Sequence, residues 1–186
     1  AISISKTDGK HSLPLIGTGD WNDGMNNVRG ESVWLAWFMA VILKNFGFDN
    51  KKLKEAAESA WDGEWYKRAY YEDGMPIGSK ESDECKIDSI TQSWAVFAGA
   101  KHGQKAMESV REKLVDTENK LIKILDPPFK NSTHNPGYIK DYPEGVRENG
   151  GQYTHAAVWV CIAEAVLGNT ENALKFFEII NPINKK

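Results

Sequence analysis

Val33-Trp34-Leu35-Ala36-Trp37-Phe38-Met39-Ala40-Val41-Ile42-Leu43-Lys44-Asn45-Phe46 is the stretch of sequence that decides the fold. Apolar residues occupy most faces of this segment, and Gly47 follows it at the position where a helix commonly ends. A helix that is apolar on most sides must be covered by other elements. The stretch therefore predicts a buried helix.

Helical spacing recurs along the rest of the chain. Asn50 is suited to cap a second, amphipathic helix that runs to about residue 60. The segment 65–71 is rich in aromatic residues and is followed by Glu72-Asp73-Gly74, which is typical of a β-hairpin or an extended loop. Residues 65–77 are the only region in which we expect a sheet. Further helices are predicted at 89–100, 104–115, 118–125, 154–167 and 170–180.

These helices are short and come in pairs, separated by two long loops. Helices of about 10–15 residues joined by short turns are typical of an all-α protein. Such pairs can form a bundle, a solenoid or an α/α toroid, and the sequence contains no fixed-period repeat that would support a solenoid. Long loops in a compact domain are commonly functional, and these two contain several Gly and Asp residues together with Trp21 and Arg147.

Composition limits the class of protein. The chain has 186 residues, 41% of them hydrophobic and 26% charged, which is typical of one globular domain. A net charge of −3 without a long basic run argues against nucleic acid as a partner. No stretch has the ~18 apolar residues of a membrane span, and no signal peptide is visible. Cys85 and Cys161 form no metal-ligand motif, and we expect two reduced thiols in a cytoplasmic protein.

The first long loop contains Gly19-Asp20-Trp21-Asn22-Asp23-Gly24-Met25-Asn26. Two carboxylates flank a tryptophan here, and aromatic faces stack well on the apolar faces of sugars. Three interpretations are open: acid catalysis beside a sugar, a structural turn in which the Asp side chains cap backbone amides, and a calcium loop. The spacing lacks the alternating oxygen ligands and the terminal Glu of an EF-hand, which makes calcium the weakest of the three.

The second long loop runs from Tyr142 to His155 and ends in an apolar helix. Within nine residues it brings together Arg147, Glu148, Asn149 and His155. His155 is predicted in the first turn of the helix, where free N–H groups and the positive end of the dipole favour an anion. The structural alternative is that Thr154 caps this helix and His155 packs in the core.

Four blocks of the sequence resemble the cellobiose/chitobiose phosphorylase family of inverting glycoside phosphorylases. They are residues 19–26 with the following Gly30-Glu31-Ser32-Val33-Trp34-Leu35, then Trp61-Asp62-Gly63-Glu64-Trp65-Tyr66, Asp88-Ser89-Ile90-Thr91-Gln92-Ser93-Trp94-Ala95-Val96, and Arg147-Glu148-Asn149-Gly150-Gly151. The third block, and Pro136-Gly137-Tyr138-Ile139-Lys140 before the fourth, are most similar to cyclic β-1,2-glucan synthases. The blocks span nearly the whole chain and stand in the family order.

The resemblance implies an (α/α)6 toroid. We expect residues 1–186 to be a single domain, a fragment of that larger catalytic domain, with antiparallel helix pairs, long active-site loops and one small β-hairpin. By the same resemblance Asp23 is the general acid and Trp21 lies at the sugar subsite where cleavage occurs. Asp20 is assigned to substrate binding, and it could also raise the pKa of Asp23 through its like charge.

The resemblance also assigns residues in the second loop. Arg147 and Glu148 are expected to bind substrate, and His155 is expected to bind phosphate. An inverting phosphorylase needs one carboxylic acid, since phosphate is already an anionic nucleophile, whereas an inverting hydrolase needs a second carboxylate to activate water. No metal or cofactor is implied; inorganic phosphate is the co-substrate.

The implied reaction is the phosphate-dependent cleavage of a β-glucan with inversion, or its reverse, which would set glucan chain length. Its expected partners are a β-glucan oligosaccharide, phosphate and the remainder of a parent polypeptide that lies in the bacterial inner membrane, with this domain on the cytoplasmic side. Two alternatives stay open. One is an inverting glycoside hydrolase that uses Glu31, Glu64 or Glu148 as its second carboxylate, and the other is a non-catalytic module that packs against the parent or binds glucan.

Overall fold

Residues 9–184 are described by a computed structural model, and α-helices form most of its regular structure. The helices in this part of the chain are α1 Val33–Asn45, α2 Lys51–Glu58, α3 Ser89–Phe97, α4 Gly103–Lys113, α5 Thr154–Val166 and α6 Thr170–Ile180. Short 3-10 helices occur at Asp23–Met25, Tyr138–Asp141 and Pro182–Asn184. The prediction of a mainly helical protein is confirmed, while the closed toroid remains a prediction.

Helix α1 is the buried helix that its sequence predicts. The Ser32 hydroxyl caps its start by accepting a hydrogen bond from the Leu35 N–H at 2.9 Å. It ends before Gly47, whose φ of +74° suits a glycine. The side chain of Trp37 is completely buried between α1 and its neighbours α2 and α3.

Helix α3 lies at the centre of the helical packing. It contacts α1, α4 and α5, and α5 in turn packs on α6. The Asp88 carboxylate caps α3 by accepting from the Thr91 N–H at 3.2 Å. Consecutive helices therefore pack as the pairs α1–α2, α3–α4 and α5–α6, which agrees with the pairing predicted from the sequence.

Three small sheets connect the helices in the described region. Strands β1 Glu31–Ser32, β2 Ala69–Tyr70 and β3 Pro76–Ile77 form an antiparallel sheet in the order β1-β2-β3. This sheet contains the predicted hairpin, with Ala69 opposite Ile77. Two further antiparallel pairs are β4 Ile87–Asp88 with β7 Leu125–Asp126, and β5 Val115–Asp116 with β6 Leu121–Ile122.

The predicted helix at 118–125 is wrong, and so is the expectation that residues 65–77 hold the only sheet. Residues 117–120 form a tight turn between β5 and β6, and the rest of the predicted helix contains β6 and the first residue of β7. Asp116 accepts hydrogen bonds from the Asn119 backbone at 2.8 Å and from the Asn119 side chain at 2.8 Å, which closes the turn. An Asp side chain that bonds the backbone locally offers the chain an alternative to the helix.

The predicted side-chain cap at Asn50 is also wrong. Asn50 does stand at the start of α2, but its side chain makes no capping hydrogen bond there. Its amide instead donates to the Ala40 carbonyl at 2.9 Å and so ties the start of α2 to α1. Cys85 and Cys161 are free, buried thiols, in agreement with the expected reduced state. No helix in residues 9–184 is long and apolar enough to cross a membrane.

Candidate active site

Residues 19–26, which we name the acid loop, present Asp23 to solvent. Gly19 has φ +117°, and a Cβ there would lie 2.9 Å from the Asp23 Cα, so the turn requires glycine. The Asn22 side chain caps the following 3-10 helix by accepting from the Gly24 N–H at 3.2 Å. Asn22, Gly24 and Met25 are buried while Asp23 is exposed. The loop therefore packs its neighbours inward and leaves the Asp23 carboxylate accessible.

A second segment docks against the acid loop at the 3-10 helix Tyr138–Asp141. Asn26 Oδ1 accepts from the Tyr138 N–H at 3.3 Å. A Cβ on Gly137 would lie 2.5 Å from the Gly24 carbonyl oxygen, so the two backbones can approach this closely only at a glycine. Tyr138 is thereby held next to Asp23.

The Tyr138 phenol is a polar neighbour of Asp23. Desolvation, and then its side-chain hydrogen bond with Asp23, raise the pKa of Tyr138, and the negative charge of Glu148 adds to the effect. The phenol therefore keeps its proton and can hydrogen-bond the Asp23 carboxyl group.

Trp21 joins the acid loop to the start of α5. Its ring centroid lies 5.2 Å from that of Tyr153, 5.6 Å from that of Trp159 and 6.3 Å from that of His155. His155 is exposed in the first turn of α5, and α5 has no side-chain cap at its N-terminus. The structural alternative, in which Thr154 caps α5 and His155 packs in the core, is therefore wrong. His155 and the acid loop share one surface.

The exposed Arg147 and the buried Glu148 have opposite environments. Arg147 adopts φ +51°, and its guanidinium carbon lies 4.7 Å from the Tyr142 ring centroid. Its Nε stands 3.4 Å from Glu148 Oε2, which is an ion-pair distance without hydrogen-bond geometry. Glu148 is 8% exposed, and within the described residues its Oε2 has no hydrogen-bond partner. A buried carboxylate oxygen in this state can accept a donor from a ligand.

Asp20 does not lie where the sequence-based assignment puts it. Its side chain is fully buried, and both of its oxygens bind Arg68, at 2.6 and 2.7 Å. Burial would raise the pKa of Asp20, but the charge of Arg68 and hydrogen bonds from Arg68 and Ser32 outweigh it and lower that pKa. A carboxylate that is buried and neutralised by an arginine is not available to a sugar and contributes little like charge to Asp23. This is a correction to both roles predicted for Asp20.

The three candidate second carboxylates have different surroundings. Glu31 is buried, and its carboxylate accepts from the backbone N–H groups of His11 at 3.0 Å and Leu13 at 3.1 Å. Glu64 is half exposed and pairs with Lys80 at 3.2 Å. Of the three, Glu148 is the one whose charge acts on Tyr138, the neighbour of Asp23.

The part of the chain that the structure describes contains no cluster of candidate metal ligands. No group of three or more His, Cys, Asp or Glu side chains among residues 9–184 could hold a metal ion. In the acid loop, Asp20 points inward to Arg68 and Asp23 points outward, so the two carboxylates do not converge as calcium ligands would.

Four residues of this region were not predicted as site residues from the sequence. Trp159 could have been found, because it follows His155 at i+4 on the same helix face. Tyr138 stood in a recognised block without an assigned role, and Tyr153 directly precedes α5. Arg68 stands in an aromatic, apolar stretch, where a charge implies a buried partner. Nothing in the sequence names Asp20 as that partner.

Comparison with known proteins gives a family match over nearly the whole chain. Residues 1–57 and 47–186 match the model of the Glycosyl hydrolase 94 superfamily, catalytic domain. The chain is 44% identical to the cyclic beta-(1,2)-glucan synthase NdvB of Rhizobium meliloti, over 98% of this chain and 7% of that protein. It is 31% identical to a solabiose phosphorylase of Paenibacillus borealis, over 98% of this chain and 27% of that protein.

A third relative extends the same pattern. The chain is 31% identical to an N,N'-diacetylchitobiose phosphorylase of Vibrio furnissii, over 89% of this chain and 23% of that protein. The chain thus spans less than a third of the length of each of these curated relatives. The resemblance to cellobiose/chitobiose phosphorylases and to cyclic glucan synthases, which the four sequence blocks indicate, is confirmed.

Proposed function

The chain belongs to the Glycosyl hydrolase 94 superfamily, and from that premise we propose that it carries the general acid of an inverting phosphorylase that acts on β-1,2-linked glucan. The similarity to a cyclic beta-(1,2)-glucan synthase supports the glucan as substrate, and the similarity to disaccharide phosphorylases supports phosphate as co-substrate. The implied product is α-glucose 1-phosphate together with a glucan shortened by one sugar. The reverse reaction lengthens the glucan.

The surface shared by the acid loop and the start of α5 is the observation that carries this proposal. Trp21 stands two residues before Asp23 and contacts the His155 ring, so the acid and the anion-binding candidate face one space. A sugar stacked on Trp21 would have Asp23 beside its glycosidic oxygen and His155 beside an attacking phosphate.

The chemistry proposed for this surface needs one proton transfer. Asp23 donates its proton to the glycosidic oxygen while a phosphate oxygen forms the new bond to the anomeric carbon from the opposite face. The bonding electrons leave with the protonated glucan. The Tyr138 hydroxyl then stabilises the new Asp23 carboxylate through their hydrogen bond.

The two basic residues, His155 and Arg147, are assigned to different parts of the substrates. We assign phosphate to His155, which is exposed at the uncapped start of α5. We assign the leaving sugar to Arg147 and Glu148, which are an exposed donor and a buried acceptor side by side. The same proposal includes a closed (α/α)6 toroid that completes the pocket. It also includes a membrane-bound parent protein that carries this domain on its cytoplasmic side.

Phosphate dependence tests the proposal. The full-length protein is incubated with a β-1,2-gluco-oligosaccharide, with and without inorganic phosphate, and glucose 1-phosphate is measured. We expect its release only in the presence of phosphate. Binding of the oligosaccharide without turnover in either condition would favour the non-catalytic module instead.

A glycoside hydrolase is the second candidate, and Glu148 is the observation that favours it. This carboxylate is buried, its Oε2 has no hydrogen-bond partner within the described residues, and its charge acts on Tyr138, the neighbour of Asp23. An inverting hydrolase needs such a second carboxylate to activate water. Release of free reducing sugar at the same rate without phosphate, abolished by Glu148→Gln, would establish the hydrolase and reject the phosphorylase.

A further inference from the structure

Arg68 is a charged side chain with 2% of its surface exposed, directly before strand β2. A buried charge is stable only when it is paired and hydrogen-bonded. Its Nη1 and Nη2 lie 2.7 and 2.6 Å from the two oxygens of Asp20, and its Nε lies 3.5 Å from Asp88 Oδ2. Arg68 therefore joins the acid loop to Asp88, the residue directly before α3.

The hydrogen bonds continue from Asp20 to both sides of Asp23. Asp20 also accepts from the Ser32 hydroxyl at 2.7 Å and from the Asn22 N–H at 3.0 Å. Asn22 Oδ1 in turn accepts from the Gly24 N–H. The backbone amides immediately before and after Asp23 are thus fixed by one continuous path that begins at Arg68.

Two further contacts surround Arg68. Its guanidinium lies 6.0 Å from the centroid of the Trp34 ring. Gly78 packs directly on the Arg68 backbone, where a Cβ would come within 2.4 Å of the Arg68 nitrogen. The side chain and the backbone of Arg68 are therefore both closely packed.

We infer that Arg68 is a positioning residue for the general acid: its two-point contact with Asp20 fixes the backbone on both sides of Asp23 and so places the acid at the glycosidic oxygen. Arg68 touches no substrate in this role. The inference rests on the proposed function, because it concerns the step that Asp23 performs. A misplacement of about 1 Å can lower a rate ~10²-fold.

A second ion pair in the chain provides the matched control. Arg111 Nη1 lies 2.7 and 3.0 Å from the two oxygens of Glu164, whose side chain is fully buried. This pair joins α4 to α5, and Glu164 also accepts from the Asn169 side chain at 2.9 Å. None of these partners belongs to the acid loop.

The test compares Arg68→Lys with Arg111→Lys in the full-length protein. Lysine keeps the charge but loses the two-point geometry of the guanidinium. For each variant, kcat/KM is measured for phosphorolysis of a β-1,2-gluco-oligosaccharide and of 4-nitrophenyl β-glucoside, whose phenolate leaves without a proton. A displaced acid harms only the first reaction, so we expect the ratio of the two values to fall ~10-fold or more in Arg68→Lys. Arg111→Lys should keep the wild-type ratio.

The ratio is independent of how much of the protein is folded, so a merely structural role for Arg68 would leave it unchanged. An unchanged ratio in Arg68→Lys therefore overturns the inference. If Arg68→Lys does not fold, Asp20→Asn breaks the same contact while Arg68 keeps Asp88, and it should lower the ratio in the same way. Absence of glucose 1-phosphate release by the wild-type protein, by contrast, rejects the proposed function.

Hydrogen exchange of the same variants tests the anchor without any substrate. We expect Arg68→Lys to lower the protection of the amides at residues 19–26, and Arg111→Lys to leave them as in the wild type. Equal protection of the acid loop in all three proteins would show that Arg68 does not hold it.

Discussion

The acid loop and the loop at residues 142–153, here the Arg147 loop, present one exposed functional side chain each, but they are anchored by different chemistry. Asp23 is held through the buried ion pair of Asp20 with Arg68. Arg147 is held through Asn149, whose neutral amide is completely buried. Asn149 accepts from the Phe129 N–H at 2.7 Å and donates to the carbonyls of Phe129 and Tyr142, each at 2.9 Å.

This difference determines how each loop responds to change. An ion-pair anchor depends on the charges of both partners, so it is sensitive to pH and to the loss of either partner. An amide anchor carries no charge and depends only on its hydrogen bonds. The ion-pair anchor should therefore respond to pH, and the amide anchor should not.

Replacement of the exposed acid should have the largest effect. Loss of a general acid commonly lowers the rate ~10²–10⁴-fold, so we expect Asp23→Asn to lower kcat for phosphorolysis of the natural glucan by that factor. The loss should shrink for an activated aryl β-glucoside. Asp49→Asn, on an exposed carboxylate at the start of α2, is the control. Near-normal activity of Asp23→Asn on the natural glucan would show that the acid lies elsewhere.

Removal of the amide anchor should destabilise the Arg147 loop without moving the acid. Asn149→Ala leaves two buried backbone groups of Phe129 and the partly buried Tyr142 carbonyl without their partner. Each costs about 1–3 kcal/mol and the costs are not additive, so we expect a loss of about 3 kcal/mol in the opening free energy. Hydrogen exchange of residues 142–153 in the full-length protein measures it. Protection of residues 19–26 should stay as in the wild type. Equal loss in both loops would mean that the two anchors are not independent.

Removal of the anion-binding candidate should act on one substrate only. A hydrogen bond to a charged group contributes ~1.5–3 kcal/mol, so His155→Ala should raise the KM for phosphate roughly 10- to 100-fold. The KM for the glucan should change much less, because Trp21 and Arg147 remain. Val158→Ala, one turn further along the exposed face of α5, is the control. An unchanged phosphate requirement would remove His155 from the phosphate site.

Sequence patterns predicted the helices well and the exposed site residues in part. Apolar periodicity identified α1, α3 and α5 because each buries a face in the core. It failed at 118–125, where the local hydrogen bonds of Asp116 select a turn. The family resemblance pointed to Asp23 and His155, but not to the opposite environments of Asp20 and Asp23, two carboxylates three residues apart. Asp20 faces inward because Arg68, 48 residues away in sequence, is its partner, and only the tertiary fold reveals such a pair.

The pH sensitivity of the ion-pair anchor is the smallest expected effect, and it depends on Asp88. Burial raises the pKa of Asp88 to about 6, with the charge of Asp20 adding to it, while Arg68 and hydrogen bonds from Thr91 act in the opposite direction. Burial therefore outweighs the opposing contacts at Asp88, whereas at Asp20 the charge of Arg68 and the hydrogen bonds from Arg68 and Ser32 together outweigh burial. The thiol of Cys85 and the amide of Gln92 also face Asp88. One arginine is thus shared by two carboxylates, of which Asp88 is the one that takes up a proton near neutral pH.

The sign of the effect follows from this raised pKa. Between pH 7 and 5 folded Asp88 binds a proton that the unfolded chain, with a pKa of 3.8, does not bind, so Asp88 makes the folded state more stable as pH falls. Two pKa values of about 6 and 3.8 give ~1 kcal/mol over this interval. Below pH 4 the lowered pKa of Asp20 acts in the opposite direction, which is why the measurement stays above pH 5.

Asp88→Asn keeps a capping oxygen for α3 but cannot titrate. We therefore expect the difference between wild type and Asp88→Asn in the opening free energy of α3, measured by hydrogen exchange, to change by ~1 kcal/mol between pH 7 and 5. Wild type and Asp88→Asn differ at no other residue, so the difference between them isolates the Asp88 carboxyl group. The matching difference for Asn149→Ala should be the same at both pH values, and a constant difference for Asp88→Asn as well would show that the two anchors do not differ in charge chemistry.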